Sequence, residues 1–374
     1  MRNAVMFVVL LLYALINYYV GSRFLSLLQL IRPFRLRWFW YLPFAFFACT
    51  SAATFVFSSR NLKWVGKIGN YWLAVMVLAF VLFGLTDLVL LAVRLLRKTE
   101  LSRSVVGASR LAAAAAALLL LAFGLRTASN VRLTKYEVTI EKDTSLDSLK
   151  LVLFSDLHLG YVNDHEKLAE IVAKINETHP DIVVISGDFF DGNYNAVQQP
   201  KKVAEELRKI EATYGVYLAW GNHDAGDTFE EMRQLALDGG ITLLEDEAVT
   251  IADAFVLAGR RDSFPLGEQG GSRADMSGRL AEFETGLPVI VLDHQPSNID
   301  EYENVDLILC GHTHQGQVFP INLITDRLFK VDYGYYREGA KQVVVSSGIA
   351  TWGPPIRLGT KSELVEITVR FGAE

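Results

Sequence analysis

The chain has 374 residues, with 36 Lys/Arg, 42 Asp/Glu, seven His and two Cys, enough for one very large domain or two ordinary ones. Its charge is split: residues 1–126 hold 14 basic residues against two acids (Asp87 and Glu100), net +12, and the remainder holds 22 against 40, net −18. An acidic surface of that kind argues against a nucleic-acid partner, which needs clustered positive charge, and Cys49 and Cys310 are too few for a disulfide framework.

The first third reads as membrane. Asn3–Ser22 and Trp38–Phe57 are uncharged, Ile68–Val93 is interrupted only by Asp87, and Leu111–Leu125 extends past Arg110 if that side chain turns its head to the interface. A span needs about 20 apolar residues to cross a core of about 30 Å, so four helices are predicted. They make the protein an integral, multi-pass protein of the cell membrane. The linkers after spans one and three carry nine basic residues against seven on the opposite side. That bias places both termini, and with them the soluble part, outside the cytoplasm. Phe24–Leu36 alternates bulky apolar residues with arginines, which fits a segment along the membrane surface or a plain polar connector. Asp87 is read as the ion-pair partner of Arg110 rather than as a functional acid, since buried acids in spans are costly.

From about Arg132 short apolar runs alternate with amphipathic helices. The runs at 151–154, 181–186, 216–220, 255–258, 288–292, 306–309 and 343–346 predict strands, with Cys310 as core filler at a strand end. Leu168, Ile171, Val172 and Ile175 recur at i, i+3, i+4, i+7, and Val203, Leu207 and Ile210 mark a second helix. Apolar strands joined by helices imply a sheet covered on both faces, with ligands beyond the strands' carboxyl ends.

Five motifs fall at such ends: Asp156-Leu157-His158, Gly187-Asp188-Phe189-Phe190-Asp191, Gly221-Asn222-His223-Asp224, a lone His294, and Gly311-His312-Thr313-His314. Five of the seven histidines lie in them; His165 and His179 do not and are expected to be solvated. Asp156, His158, Asp188, Asn222, His294, His312 and His314 offer seven oxygen and nitrogen donors. That number suits two divalent ions about 3.5–4 Å apart with one shared carboxylate. Residues two apart, as in Asp156/His158 and His312/His314, face one way on an extended strand end. The glycines before Asp188, Asn222 and His312 permit tight turns. Any one of these residues alone is as well read as a helix cap, a core histidine or a turn residue.

Together the motifs resemble the calcineurin-like metallophosphoesterase superfamily. The segments Gly311–Gln317 and Ser346–Arg357 look like its bacterial membrane-anchored branch. The resemblance implies an α/β fold, a βαβ sandwich of two sheets flanked by helices, here preceded by an all-α transmembrane bundle. The domains are then a four-helix transmembrane domain at 1–126, a linker and first strand at 127–149, and a dinuclear metallophosphoesterase domain at 150–374. It implies that Asp156, His158 and His314 hold one ion, Asn222, His294 and His312 the other, and Asp188 both. The ions are Mn, Fe or Zn, and a hydroxide between them attacks phosphorus. His223 serves the leaving oxygen and Asp191 orients His223, with Asp224 as the alternative. On the substrate side Arg260, Arg261 and Arg357 could clamp a phosphate, Trp352 could floor a pocket and Tyr333, Tyr335 and Tyr336 could line one. Salt bridges and core aromatics are equally good readings of all seven. Four spans exceed what an anchor needs, which points to a phosphoester or diphosphate of a lipid or lipid-linked substrate. The alternatives are a tethered phosphodiesterase for soluble nucleotides or headgroups, and a non-catalytic scaffold or sensor.

Overall fold

The computed structural model describes the chain apart from residues 1, 32–36, 265–272, 275, 282, 284–285, 303 and 373–374. It divides into two units, residues 1–126 with 353–356, and residues 127–352 with 357–374.

The first unit holds α1 (Arg2–Ile31), α2 (Tyr41–Val56), α3 (Lys63–Arg97) and most of α4 (Arg103–Ser129). Among the described residues three helices are long and apolar enough to cross a membrane: Phe7–Leu30, Arg60–Arg97 and Arg103–Ser129. The predicted second span falls short. α2 has 16 residues, about 24 Å at 1.5 Å per residue, against about 30 Å of hydrocarbon. Pro43 in its first turn explains the late start, because proline fits a helix beginning and not its interior. Of the stretch Phe24–Leu36, α1 takes the part through Ile31, and positions 32–36 lie outside the described residues. Asp87 pairs with Arg110 at 3.1 Å as anticipated. It also accepts from Arg23 and from Tyr19 Oη at 2.9 Å, so one acid ties α1, α3 and α4. A Cβ at Gly69 would come within 2.8 Å of the Ser51 backbone. That is the close approach that small residues allow between apolar helices.

The second unit contains β1 (Arg132–Ile140), β2 (Ser148–Phe154), α5 (His165–Glu177), β3 (Ile182–Ser186), α6 (Pro200–Leu207), β4 (Val216–Ala219), α7 (Phe229–Asp238) and β5 (Thr242–Leu243). Then come β6 (Glu247–Ile251), β7 (Phe255–Gly259), α8 (Met276–Ala281), β8 (Val289–Leu292), β9 (Leu307–Cys310), α9 (Asn322–Leu328), β10 (Gly334–Glu338), β11 (Lys341–Val345) and β12 (Glu363–Phe371). They form two six-stranded mixed sheets, ordered β1-β12-β2-β3-β4-β5 and β10-β11-β9-β8-β7-β6. Side chains alternate across each strand. Leu149, Leu151, Leu153, Ile182 and Val184 meet Leu257, Ile290, Leu307 and Leu309 between the sheets. Val152, Phe154, Val183 and Ile185 turn the other way onto Leu168, Ile171, Val203 and Met232 of α5, α6 and α7. Two sheets face to face with helices outside is the α/β sandwich anticipated. β2, β3 and β4 run parallel, as do β7, β8, β9 and β11. Their carboxyl ends carry the motif loops.

Candidate metal centre

Each motif begins where a strand stops. β2 ends at Phe154, β3 at Ser186, β4 at Ala219, β8 at Leu292 and β9 at Cys310. The chain then leaves extended geometry. Asp156, His158, Asp188, His312 and His314 all have positive φ, between 47° and 72°. The two-apart donors therefore share a direction through left-handed turns, not through an extended strand end. Asp and His tolerate that region better than most residues, and such positions gather at functional sites. Gly187 is itself left-handed, at φ 74°. Gly221 and Gly311 are not; what they supply is room. A Cβ on Gly221 would lie 2.3 Å from Asp188 N, and one on Gly311 2.6 Å from Asp156 Oδ2.

The expected donors converge in two groups, Asp156 with His158 and His314, and Asp188 with His294 and His312; a third group of the same kind brings His158 together with Asp191 and His223. His158 Nε2 stands 3.2 Å from His314 Nε2, and His314 Nε2 3.3 Å from Asp156 Oδ1. His294 Nε2 is 3.1 Å from Asp188 Oδ2, which is 3.8 Å from His158 Nε2. Asp188 thus stands near both groups. Two bonds of about 2.1 Å at tetrahedral or octahedral angles leave their ligand atoms about 3.0–3.4 Å apart. The spacing is that of neighbours around a cation.

Orphaned atoms make the same point. Asn222 Oδ1 and His294 Nε2 are buried without a hydrogen-bond partner, although Asp188 Oδ2 is close to the latter. The pair is near yet misaligned for a hydrogen bond, as two ligands of one cation would be. His294 Nδ1 donates to Ser186 O at 2.8 Å. A carbonyl only accepts, so in the neutral ring the Nε2 lone pair is free for a cation. The residues present fit divalent ions.

Electrostatics separate the histidines. Burial and the neighbouring His294 push His312 down to about 3. Burial, His158 and Arg357 hold His314 well below the ordinary imidazole value. Burial also opposes a charged His294, yet Asp188 beside it raises that ring well above the usual value. The Asp188 carboxyl is lowered: burial is outweighed by His294 and His158. Asp156 is raised, chiefly by burial.

His223 and Asp191 are half-buried beside these groups. The His223 ring lies 5.0 Å from that of His158 and 5.6 Å from Trp352, and the His223 backbone N–H donates to Asp188 Oδ1 at 2.7 Å. Asp191 Oδ1 is 3.9 Å from His223 Nδ1 and 3.5 Å from His158 Nδ1. It stands between the two rings, nearer to His158 than to His223, and at 3.9 Å makes no hydrogen bond to His223. Asp224 does not orient His223. Its oxygens accept from Phe190 N at 2.7 Å and Gly221 N at 2.8 Å, locking two motif loops together.

Several substrate-side expectations are corrected. Arg357 is fully buried. Its guanidinium donates to Ser347 O at 2.5 Å, Ala350 O at 2.7 Å and His314 O at 3.2 Å, and lies 3.1 Å from His314 Nδ1. It braces the metal-side loops from behind. Arg260 is buried as well, donating to Glu301 at 2.9 Å and to Tyr302 Oη at 3.2 Å. Tyr333 Oη donates to Glu363 and Tyr335 Oη to Gln342, so both are structural. Tyr336 packs with the Val256–Val345 core behind the second sheet. Arg261 is half-buried and Trp352 is largely exposed beside His223. His165, expected in solvent, is buried, while His179 is exposed. Sequence reasoning missed Ser155, whose hydroxyl donates to Asp156, and the bracing role of Arg357. The position of Ser155 next to a proposed ligand was the available signal.

The calcineurin-like phosphoesterase family model matches residues 149–316. An uncharacterized metallophosphoesterase of Aquifex aeolicus is 32% identical over 64% of this chain and 92% of its own length. One from Campylobacter jejuni is 28% identical over 97% of both chains. A transmembrane protein with metallophosphoesterase domain from Danio rerio is 33% identical over 63% of this chain and 56% of its own. The chain spans about three fifths of the length of several curated relatives that it matches.

Proposed function

Because the chain belongs to the calcineurin-like phosphoesterase family, we propose that it is a membrane-bound hydrolase of phosphoester or diphosphate bonds that works with two divalent cations. One observation carries this reading: the 3.1–3.3 Å spacing of donor atoms in two groups, with Asp188 beside both. Asp156, His158 and His314 hold one ion, Asn222, His294 and His312 the other, and Asp188 both. The ligand set suits Mn, Fe or Zn. Bound there, such ions make water nucleophilic at neutral pH and offset charge on the phosphoryl oxygens. His223, at the mouth, donates its ring N–H to the leaving oxygen. Asp191, poised between His158 and His223, holds both rings in place. Arg261 and Trp352 remain the side chains free to meet substrate.

The substrate we propose is a lipid or lipid-linked phosphoester, since the chain carries more apolar helix than one anchor requires. The test is metal content and turnover of a chromogenic phosphodiester by the purified full-length protein. Asp188→Asn should lose both. His223→Ala should keep its metal and lose turnover by about 10²–10⁴-fold. An Asp188→Asn protein with full metal content and rate would overturn the assignment. The lipid is sought by incubating the enzyme with membrane lipids and looking by mass spectrometry for a product absent with Asp188→Asn.

A further inference from the structure

The segment after the last candidate metal-binding motif exposes large apolar side chains. Ile321, Ile324 and Leu328 recur at i, i+3, i+7 and share one face of α9. That face is the outer one: the three are 48%, 55% and 72% exposed, with Leu323 and Phe319 beside them at 48% and 60%. The inward contacts lie along one edge of this exposed arc, at Thr325 and at Phe329 just past the helix end. Thr325 Oγ1 donates to Asp332 at 3.0 Å, and the ring of Phe329 meets His312 edge-on at 5.9 Å. None of the α9 residues is buried, so its aliphatic side chains find no core of their own. In an acidic unit, five large apolar side chains exposed within ten residues need a partner.

The face is continuous with the metal centre. The α9 start lies against Gly316, where a Cβ would fall 2.3 Å from Asn322 N. Gln317 binds Trp352 twice, accepting from its N–H at 3.0 Å and donating to its carbonyl at 3.0 Å. Trp352 in turn stands beside His223. Gly316 and Gln317 thus join the start of α9 to Trp352 at the mouth.

We propose that this face docks on the hydrocarbon of the bilayer and takes up acyl chains next to the metal centre. The inference rests on the reading above of a lipid-borne substrate and names the surface that serves it. The occupant is hydrocarbon because the same chain carries three helices long enough to cross a membrane. The tether keeps lipid at high effective concentration around the soluble unit, and an exposed aliphatic helix face is what partitions into the acyl boundary.

The experiment uses the full-length protein in nanodiscs with Cys49→Ser, since Cys49 is exposed and Cys310 is buried. A polarity-sensitive fluorophore is placed through Leu328→Cys, and through Leu237→Cys on α7 as an exposed apolar control. Emission at 328 should shift to the blue and be quenched by lipids spin-labelled on their acyl chains; emission at 237 should do neither. No quenching at 328 overturns the proposal. So does a blue shift that follows protein concentration in detergent, which would make the face a contact between copies. In the activity arm, Ile324→Ser with Leu328→Ser should cut kcat/KM on a bilayer phospholipid by about tenfold or more. Turnover of the soluble chromogenic phosphodiester should hold. An equal loss on both substrates would make the role structural and count against docking. If the unmodified enzyme turned over neither substrate, the hydrolase reading would fail, while the quenching would still decide the docking.

Discussion

Arg357 is the residue whose meaning changed most between chain and fold. An arginine near a phosphoesterase site invites a phosphate-clamp reading, because its forked donors match phosphate oxygens. Burial lowers it to about 10, so it keeps its charge at neutral pH, and that charge is spent on carbonyls at 347, 350 and 314. Arg357→Ala would leave those acceptors unpaired in the interior, at a cost of about 3 kcal/mol or more. Arg357→Lys, with one compact donor head, should recover little of it. The check is the thermal unfolding midpoint of the detergent-solubilised protein; midpoints equal to the parent's would show that the bracing contacts carry no weight. Asp224 teaches the same lesson at smaller scale. Burial and the nearby Asp188 raise it to about 7, and its place is among backbone N–H groups, where it holds the loops that aim Asn222 and Asp188.

At the level of elements, the strands are rulers and the turns are the aiming devices. β2, β3 and β4 pair in parallel with tight register, Val183 opposite Val216 and Val152 opposite Val183. Three motif loops thus leave one sheet side by side. The loop after β4 has the least slack: Gly221 sits where a Cβ would overlap Asp188 N at 2.3 Å and approach the His294 ring at 2.9 Å. Since the first of these is backbone, it has no rotamer by which to give way. Gly221→Ala is therefore expected to strip metal from the centre by displacing Asp188, while circular dichroism keeps the parent helix and strand content. Full metal occupancy in the alanine variant would show that the loop can shift freely. The strands were legible because parallel, doubly covered strands write themselves as unbroken apolar runs. The short or half-exposed β5, β6 and β10 were not, because their few residues carry no such run, and neither was the long β12 (Glu363–Phe371), whose apolar residues are broken by Glu366, Thr368 and Arg370.

For the molecule as a whole, the issue is why a chain of the calcineurin-like phosphoesterase family carries an apolar helical unit in which Asp87, Arg23 and Arg110 tie helices together. Removing residues 1–126 separates tethering from chemistry. Turnover of a bilayer substrate should fall far more than that of a soluble chromogenic phosphodiester; parallel losses would support the tethered enzyme for soluble substrates instead. From the basic bias of the linkers after the first and third apolar segments we propose that the C-terminus lies outside the cytoplasm. The shortness of α2 bears on this directly, because a segment of about 24 Å that enters and returns would change the number of crossings. A C-terminal reporter active only in the extracytoplasmic space decides it: activity there supports the assignment and cytoplasmic activity reverses it.

Taken alone, the order of residues determined the ligand types, the strands that end at them and the apolar character of the first third. These are local properties, set by side-chain chemistry and by periodicity over a few positions. Only the tertiary structure decided which cations are spent internally, as Arg357 and Arg260 are, and how the two-apart donors come to point together. It alone showed that α9 turns its apolar side outward. The reason is physical: burial and hydrogen-bond partnership depend on segments far apart in the chain. His314 and Arg357 meet only once the two sheets have closed, and Asp188 and His223 only once β3 and β4 have paired.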